Sequence, residues 1–497
     1  MTTQELQNLD RQYVWHPFTH MSLWLADDPI VITGGEGVYV IDSDGRRYID
    51  GTGSLWCNVH GHRVPAIDNA IRAQLDKIAH STLLGLAGEP SILLAEKLIR
   101  IAPPGLAKVF YSDSGATATE VAFKMAVQYW WNLGRPEKTE FVAIEEAYHG
   151  DTVGGMSVGM TSAFHKPYRP LMFKVHYARR SGQSGSDAFL TPPPPGEAGW
   201  GRRASEGDRL QTDAPRPHLT SPGGGGTGSA TTLEAIEAIL IRHHRTIAAI
   251  SIEPLVMGAA GMIVHPPGFT RGVRELADKY DVLLIADEVA TGFGRTGRMF
   301  ACEHDNVTPD LLCIGKGLTG GYLPVAATLA TQKIFDAFLG KPWEGRTFFH
   351  GHTFTGNALG CAAAIASIDL MEQTHLVQQV AEYAKILAEY LEPLKSLPCV
   401  GEIRQAGYMV GIDLVADRAT GRPFDPKQRI GAVICRGLRR HGVLVRPLGD
   451  TIVINPPLVT QPPQLAEIVA ALKIELSQLV AAAGVGERGD AVIAGDF

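Results

Sequence analysis

The chain has 497 residues, 45% hydrophobic and 20% charged, with 45 Lys and Arg set against 52 Asp and Glu. A net charge of −7 and a pI near 6.2 give no general support for nucleic-acid binding. The length is enough to bury a large core and suggests more than one domain.

The opening residues, MTTQELQNLDRQYVWHPF, hold no apolar signal core, and no run in the chain approaches membrane-spanning length. Six cysteines, Cys57, Cys302, Cys313, Cys361, Cys399 and Cys435, include no CxxC pair. That argues against a disulfide frame or a metal site and favours a reducing compartment, so the expected location is the cytoplasm. Next comes GVYVIDSDGRRYIDG, two alternating runs around an Asp-Gly turn, which predicts a hairpin.

From PAIDNAIRAQLDKI onward, helical patterns alternate with compact apolar runs: KVFYSDSG, TEFVAIEEAYHG, IAAISIEPL, VLLIADEVATG, DLLCIGKG and VAATLAT. Alternation of this kind predicts an α/β fold with a mostly parallel sheet covered on both faces. After about residue 370 come a long amphipathic helix, short strands and a last helix, which suits a smaller α+β domain joined by the N-terminal segment. The expected division is therefore 1–65 with 371–497 as the small domain and 66–370 as the large one. Residues 181–231, rich in Pro, Gly and Ser, lack the apolar surface to offset their ordering entropy and are expected to form a flexible surface insertion.

In such a sheet, ligands gather at the carboxyl ends of the strands, and the predicted strand ends here carry unusual residues. SDSGAT places Ser114, Gly115 and Ala116 at a helix start, where free N–H groups and the helix dipole favour a phosphate; an ordinary N-cap accounts for the same residues. No GxGxxG or GxxxxGK[ST] is present. Asp287 directly follows a buried run, as an N-cap or as the acid that keeps an aromatic ring nitrogen protonated. Lys316 ends the next run; an amine with a lowered pKa in a dry pocket can form a Schiff base. Tyr148 and His149 offer aromatic faces for stacking. A phosphate cradle, an acid for a pyridinium and a lysine for an aldehyde are the contacts that pyridoxal 5′-phosphate requires.

The ordered motifs SDSGAT, YHGDT, IEP, LLIADEVATGFGRTG, GKGLTGGYLP and HGHTFTGN resemble those of class III aminotransferases, of PLP fold type I. The resemblance covers nearly the whole chain outside the insertion. It implies a large domain with a seven-stranded-type sheet, a smaller α+β domain built from both termini, and a homodimer with shared active sites. It also implies that Lys316 is the catalytic lysine, that Asp287 pairs with the pyridine nitrogen and that Tyr148 stacks on the ring. Ser114, Gly115 and Ala116 would hold the phosphate, with Gly351, His352 and Thr353 reaching the neighbouring subunit's site. Within the class, YVWHPFTHM, QYWWNLG, FACEHDNVTPDLLCIGKGLTGG and VLVRPLGD most resemble the biotin-biosynthetic branch, which aminates 8-amino-7-oxononanoate. Arg446 would then bind the substrate carboxylate.

Phe18, Leu55, Trp56 and His352 line the expected substrate channel and depart from that branch's usual Tyr, Trp-Trp and Pro. The implied donor is S-adenosylmethionine first and lysine second. Relatives that use 2-oxoglutarate place an arginine shortly before a PPL motif, and TIVINPPL (451–458) has none. An ω-amino acid:pyruvate transaminase and a PLP mutase are the other enzymes that the same lysine and acid would serve. A DNA-binding regulator built on this fold would need a basic N-terminal module, which is absent.

Overall fold

The computed structural model describes residues 1–159, 165–180 and 231–485. Most of the insertion expected at 181–231 lies outside them; its last residue, Thr231, caps the helix Thr232–His243.

The N-terminal strands are β1 (Ile32–Glu36), β2 (Tyr39–Asp42) and β3 (Arg47–Asp50). The predicted hairpin forms between β2 and β3, with Tyr39 opposite Ile49. Its turn closes because the Asp42 carboxylate accepts the N–H groups of Asp44 and Arg46 and Gly45 takes a φ of 81°.

The large sheet contains β4 (Leu106–Ser112), β5 (Glu140–Ile144), β6 (Val175–Ala178) and β7 (Ile247–Ile252). After a short antiparallel pair, β8 (Val256–Met257) and β9 (Ile263–Val264), it continues with β10 (Leu283–Asp287), β11 (Leu311–Ile314) and β12 (Ala326–Thr331). Its order is β4-β12-β11-β10-β7-β5-β6, and β12 alone runs against its neighbours. The six apolar runs are strands of this sheet. β6, which the sequence reading passed over, is the seventh: an edge strand of four residues whose two central positions are only half-buried.

β7, β10 and β11 are buried along their whole length, which is why they read as unbroken apolar runs rather than alternating ones. Along β10 the pleat sorts the side chains. Leu283 and Ile285 share a core with helix Gly115–Asn132, whereas Leu284 faces helices Thr232–His243 and Phe269–Lys279.

Downstream of helix Leu376–Leu391 lie β13 (Val400–Ala406), β14 (Met409–Leu414), β15 (Val443–Leu444), β16 (Arg446–Leu448) and β17 (Thr451–Ile454), then helix Pro462–Val485. β13, β14, β17 and β16 make one antiparallel sheet, while β15 pairs parallel with β3. Among the described residues no helix is long and apolar enough to cross a membrane.

Candidate active site

The carboxyl edge of the large sheet gathers the residues singled out above. Asp287 closes β10 in register with Cys313 of β11, and Lys316 follows just past the end of β11. Ser114 follows β4, Tyr148 and His149 follow β5, and Glu253 follows β7.

Lys316 sits on a tight turn with a φ of 42°, a left-handed conformation that costs a lysine about 1–3 kcal/mol. Of its flanking glycines, Gly317 is tightly packed, whereas Gly315 meets only ordinary contacts. A Cβ on Gly315 would lie 3.5 Å from the backbone of Gly115, and one on Gly317 would lie 3.1 Å from Phe293 Cβ. The amine stands 4.7 Å above the Trp56 ring. Burial pushes the Lys316 pKa down; the carboxylates of Asp287 and Glu253 pull it back, but burial prevails. The neutral, nucleophilic form is thereby more accessible than in an ordinary lysine.

Asp287 is buried, and its two oxygens have different partners. Oδ1 accepts the N–H of Val289 at 3.1 Å, and Oδ2 lies 2.7 Å from His149 Nδ1. The expectation that His149 offers a stacking face is corrected here. Its ring is enclosed, with Nε2 3.4 Å from Ser251 Oγ, and it serves as the partner of Asp287 instead. Burial disfavours its charged form, yet the bond to Asp287 outweighs that and raises the His149 pKa.

Ser114 is the N-cap of helix Gly115–Asn132. Its hydroxyl accepts the Thr117 N–H at 3.3 Å, and its own N–H donates to Thr117 Oγ1 at 2.9 Å. The N-cap reading of this stretch is the one the geometry shows. The hydroxyl is used in capping, while the N–H groups of Gly115 and Ala116 take no acceptor among the described residues, as the first turn of a helix requires. Gly115 has no room for a side chain, because a Cβ would fall 2.3 Å from Val289 Cγ1. Gly150 (φ 108°) is likewise pressed against Ala116. Three segments thus converge on this helix start.

Tyr148 stacks on His165 at 6.3 Å and donates its hydroxyl to Asp151 at 2.8 Å. Its backbone N–H goes to Glu253 Oε1 at 3.0 Å, and Glu253 Oε2 accepts from Gly258 at 2.9 Å. Burial raises the Glu253 carboxyl to about 7.

The outer residues are more open. Arg446 is exposed, with its guanidinium 5.9 Å from the Phe18 ring, and no ion pair joins it to a carboxylate among the described residues. Leu55 is exposed and Trp56 buried. Gly351 lies on the surface, His352 Nδ1 is 2.8 Å from Asp113 Oδ2, and the Thr353 carbonyl accepts from His80 at 2.9 Å.

Sequence reasoning passed over three residues here. Glu253 was quoted only within a motif. Asp50, at the end of β3, holds the turn that carries Leu55 and Trp56. Arg295, within GFGRTG, is buried without a carboxylate partner among the described residues. It donates to the carbonyls of Asn58 (3.0 Å), Trp56 (3.4 Å) and Pro456, and burial brings it down to about 10. Its only sequence signal was a charge inside a glycine-rich stretch.

The family described as Aminotransferase class-III matches residues 24–187 and 210–476. An adenosylmethionine-8-amino-7-oxononanoate aminotransferase of Geobacter sulfurreducens is 47% identical over 475 residues, 95% of this chain and 97% of the relative. The enzyme of the same name from Aquifex aeolicus is 43% identical, covering 95% and 97%. The crystal structure of the Methanocaldococcus jannaschii enzyme of that name superposes with a TM-score of 0.84 at 38% identity, covering 96% of this chain and 99% of that one. An ω-transaminase from Pseudomonas jessenii in complex with PMP gives 0.81 at 29% identity, covering 97% and 99%. With a family match over most of its length and relatives this similar end to end, the chain belongs to the class III aminotransferases.

Proposed function

We propose that this chain transfers an amino group to the ketone of 8-amino-7-oxononanoate, forming 7,8-diaminononanoate for biotin synthesis, with S-adenosylmethionine as the first-choice donor and lysine as the second. The names of full-length relatives at 40–48% identity support this substrate. The observation that carries the chemistry is Lys316, an amine made less basic by burial, between the Trp56 ring and the carboxylates of Asp287 and Glu253.

The residues fit pyridoxal 5′-phosphate. The N–H groups of Gly115 and Ala116, with Ser114, suit its phosphate; Asp287, held by His149, suits its ring nitrogen; Tyr148 suits its face. When bound, the cofactor supplies an electron sink for the carbon that loses or gains the amino group. Lys316 holds the cofactor through its Nζ, gives way to the incoming donor amine, and then serves as the base and acid that moves a proton at the substrate carbon. Asp287 would sit beside the ring nitrogen, and Arg446 would present a planar pair of donors to the substrate carboxylate.

The reading includes a homodimer in which Gly351, His352 and Thr353 serve the partner's phosphate site. Phe349 and Phe354, 83% and 59% exposed beside that segment, support it. It places the enzyme in the cytoplasm, in keeping with six free cysteines, five of them buried.

The test mixes the holoenzyme with S-adenosylmethionine, lysine or alanine, one at a time, together with 8-amino-7-oxononanoate, and measures 7,8-diaminononanoate by mass spectrometry. Product from one of the first two identifies the donor. Product from none of the three overturns the reading. Amination of pyruvate to alanine by an ω-amino acid, with no 7,8-diaminononanoate formed, favours an ω-amino acid:pyruvate transaminase. Lys316→Ala must abolish turnover in every arm.

A further inference from the structure

The segment from Gly53 to Trp56 passes through four consecutive residues with positive φ: 55°, 47°, 67° and 69°. Only the first is glycine. Side chains on L-residues clash with the backbone in this region, so a run of three persists only where its surroundings over-determine it. Such strain collects at functional sites, which prompts the question of what holds this turn and what the turn presents.

Asp50 holds it from the end of β3. Its Oδ1 accepts the Ser54 N–H at 3.0 Å, and its Oδ2 accepts the Ser54 hydroxyl at 2.7 Å, with His62 Nε2 at 3.2 Å from the same oxygen. Asp50 is itself buried. Burial would raise its pKa, but the bonds from His62 and Ser54 keep it below the usual carboxylate range, so the clamp is ionised at neutral pH.

What the turn presents is Trp56. Its indole fits over Gly258, where a Cβ would stand 2.9 Å from Cζ3, and lies 4.7 Å beneath the Lys316 amine. Neither aromatic placement follows from an ordinary right-handed turn, which would carry the Trp56 side chain in another direction.

We propose that Asp50 is a positioning residue: by clamping Ser54 it maintains the left-handed turn that lays Trp56 against the Lys316 amine, and so governs how much water that amine meets. This rests on Lys316 being the reactive amine. The charged and titratable groups that face Lys316 are Asp287, Glu253, Cys57 and Arg295; the Asp50 charge also acts on Cys57 and Arg295, so the test includes Asp50→Asn, which removes that charge and keeps an acceptor.

The test uses the full-length chain freed of cofactor. Lys316 is acetylated with trace acetic anhydride across a pH series, and its occupancy is read by peptide mass spectrometry. The pH of half-maximal labelling should rise by about one unit in Asp50→Ala, as the amine regains water and an ordinary lysine's basicity. Trp56→Ala should move it by a similar amount, and the double variant should add nothing further, because both act through one contact. Asp50→Asn, which keeps an acceptor for the Ser54 N–H, should stay near the parent.

A parent-like curve in Asp50→Ala beside a shifted one in Trp56→Ala overturns the proposal, as do fully additive shifts or no shift in Trp56→Ala. If Asp50→Ala does not fold, Ser54→Ala removes only the 2.7 Å bond. It should shift the curve in the same direction by a smaller amount, and an unmoved curve there overturns the proposal too. Turnover in Lys316→Ala is measured separately, so the assignment of the lysine and the role of Asp50 fail independently.

Discussion

His149 Nδ1 and Asp287 Oδ2 lie 2.7 Å apart with both side chains withdrawn from solvent. The pair fixes the orientation of a carboxylate that would otherwise be free to rotate.

Replacing His149 with Phe keeps the volume roughly similar and removes the partner. A charge-assisted hydrogen bond of about 1.5–3 kcal/mol is lost, so kcat/KM should fall about 10- to 100-fold and cofactor should be held more weakly in a spectrophotometric titration. The pH dependence has a definite sign. The folded pKa of His149 is raised above 6.5, so its stabilising contribution is complete below 6.5 and disappears as pH climbs through the folded value. The gap in thermal midpoint between parent and variant should therefore be widest below pH 6.5 and narrow as pH rises through the folded value.

Lys316 trades stability for reactivity. Its folded pKa is below 10.5, so burial of this amine opposes folding below that pH, and stability from this group rises with pH towards 10.5. Lys316→Met should abolish transamination while stabilising the cofactor-free protein by about 1–2 kcal/mol at pH 7. A melting series should show the advantage shrinking as the pH approaches that of free lysine.

Gly115 meets Val289 where a Cβ would fall 2.3 Å from Cγ1. Gly115→Ala should displace the helix start by overpacking, at a cost of about 1–3 kcal/mol, and weaken cofactor binding more than it lowers the thermal midpoint. Adding Val289→Ala should restore much of the affinity, measured by equilibrium titration with pyridoxal phosphate. Failure of that rescue would locate the defect outside the contact.

Arg446 is exposed beside Phe18 and has no ion-pair partner among the described residues. Arg446→Ala should raise KM for the oxo-acid about 30-fold, roughly 2 kcal/mol, with little change in its melting behaviour. Arg446→Lys should recover only part of this, since an ammonium lacks the planar fork. An unchanged KM would remove Arg446 from the substrate site.

Much of this architecture was legible in the residues. The fully buried strands β7, β10 and β11 appear as unbroken apolar runs, and Asp287 and Lys316 are conspicuous because a charge directly follows each run. β6 escaped because an edge strand of four residues has too little pattern to stand out beside a Pro/Gly-rich stretch. His149 was misread because a periodicity argument cannot tell whether an aromatic ring will face a ligand or be enclosed by Phe123 and Asp287. Asp50 and Arg295 were passed over for a related reason. Their partners, Ser54 on one side and the carbonyls of Asn58 and Pro456 on the other, are set by backbone geometry that side-chain chemistry does not encode.

The parallel pairing of β15 with β3, Val443 beside Ile49, has a bearing on how the enzyme is made. The Trp56 wall and Arg446 flank the same joint, one from each extremity of the polypeptide. A ribosome must have delivered almost everything before these parts can meet, so the large sheet is available to fold around its lysine while the pocket still lacks a side. With Arg446 in the role proposed above, pulse-labelled chains arrested before residue 443 should hold the lysine loop in a folded core yet show no carboxylate-dependent protection from proteolysis.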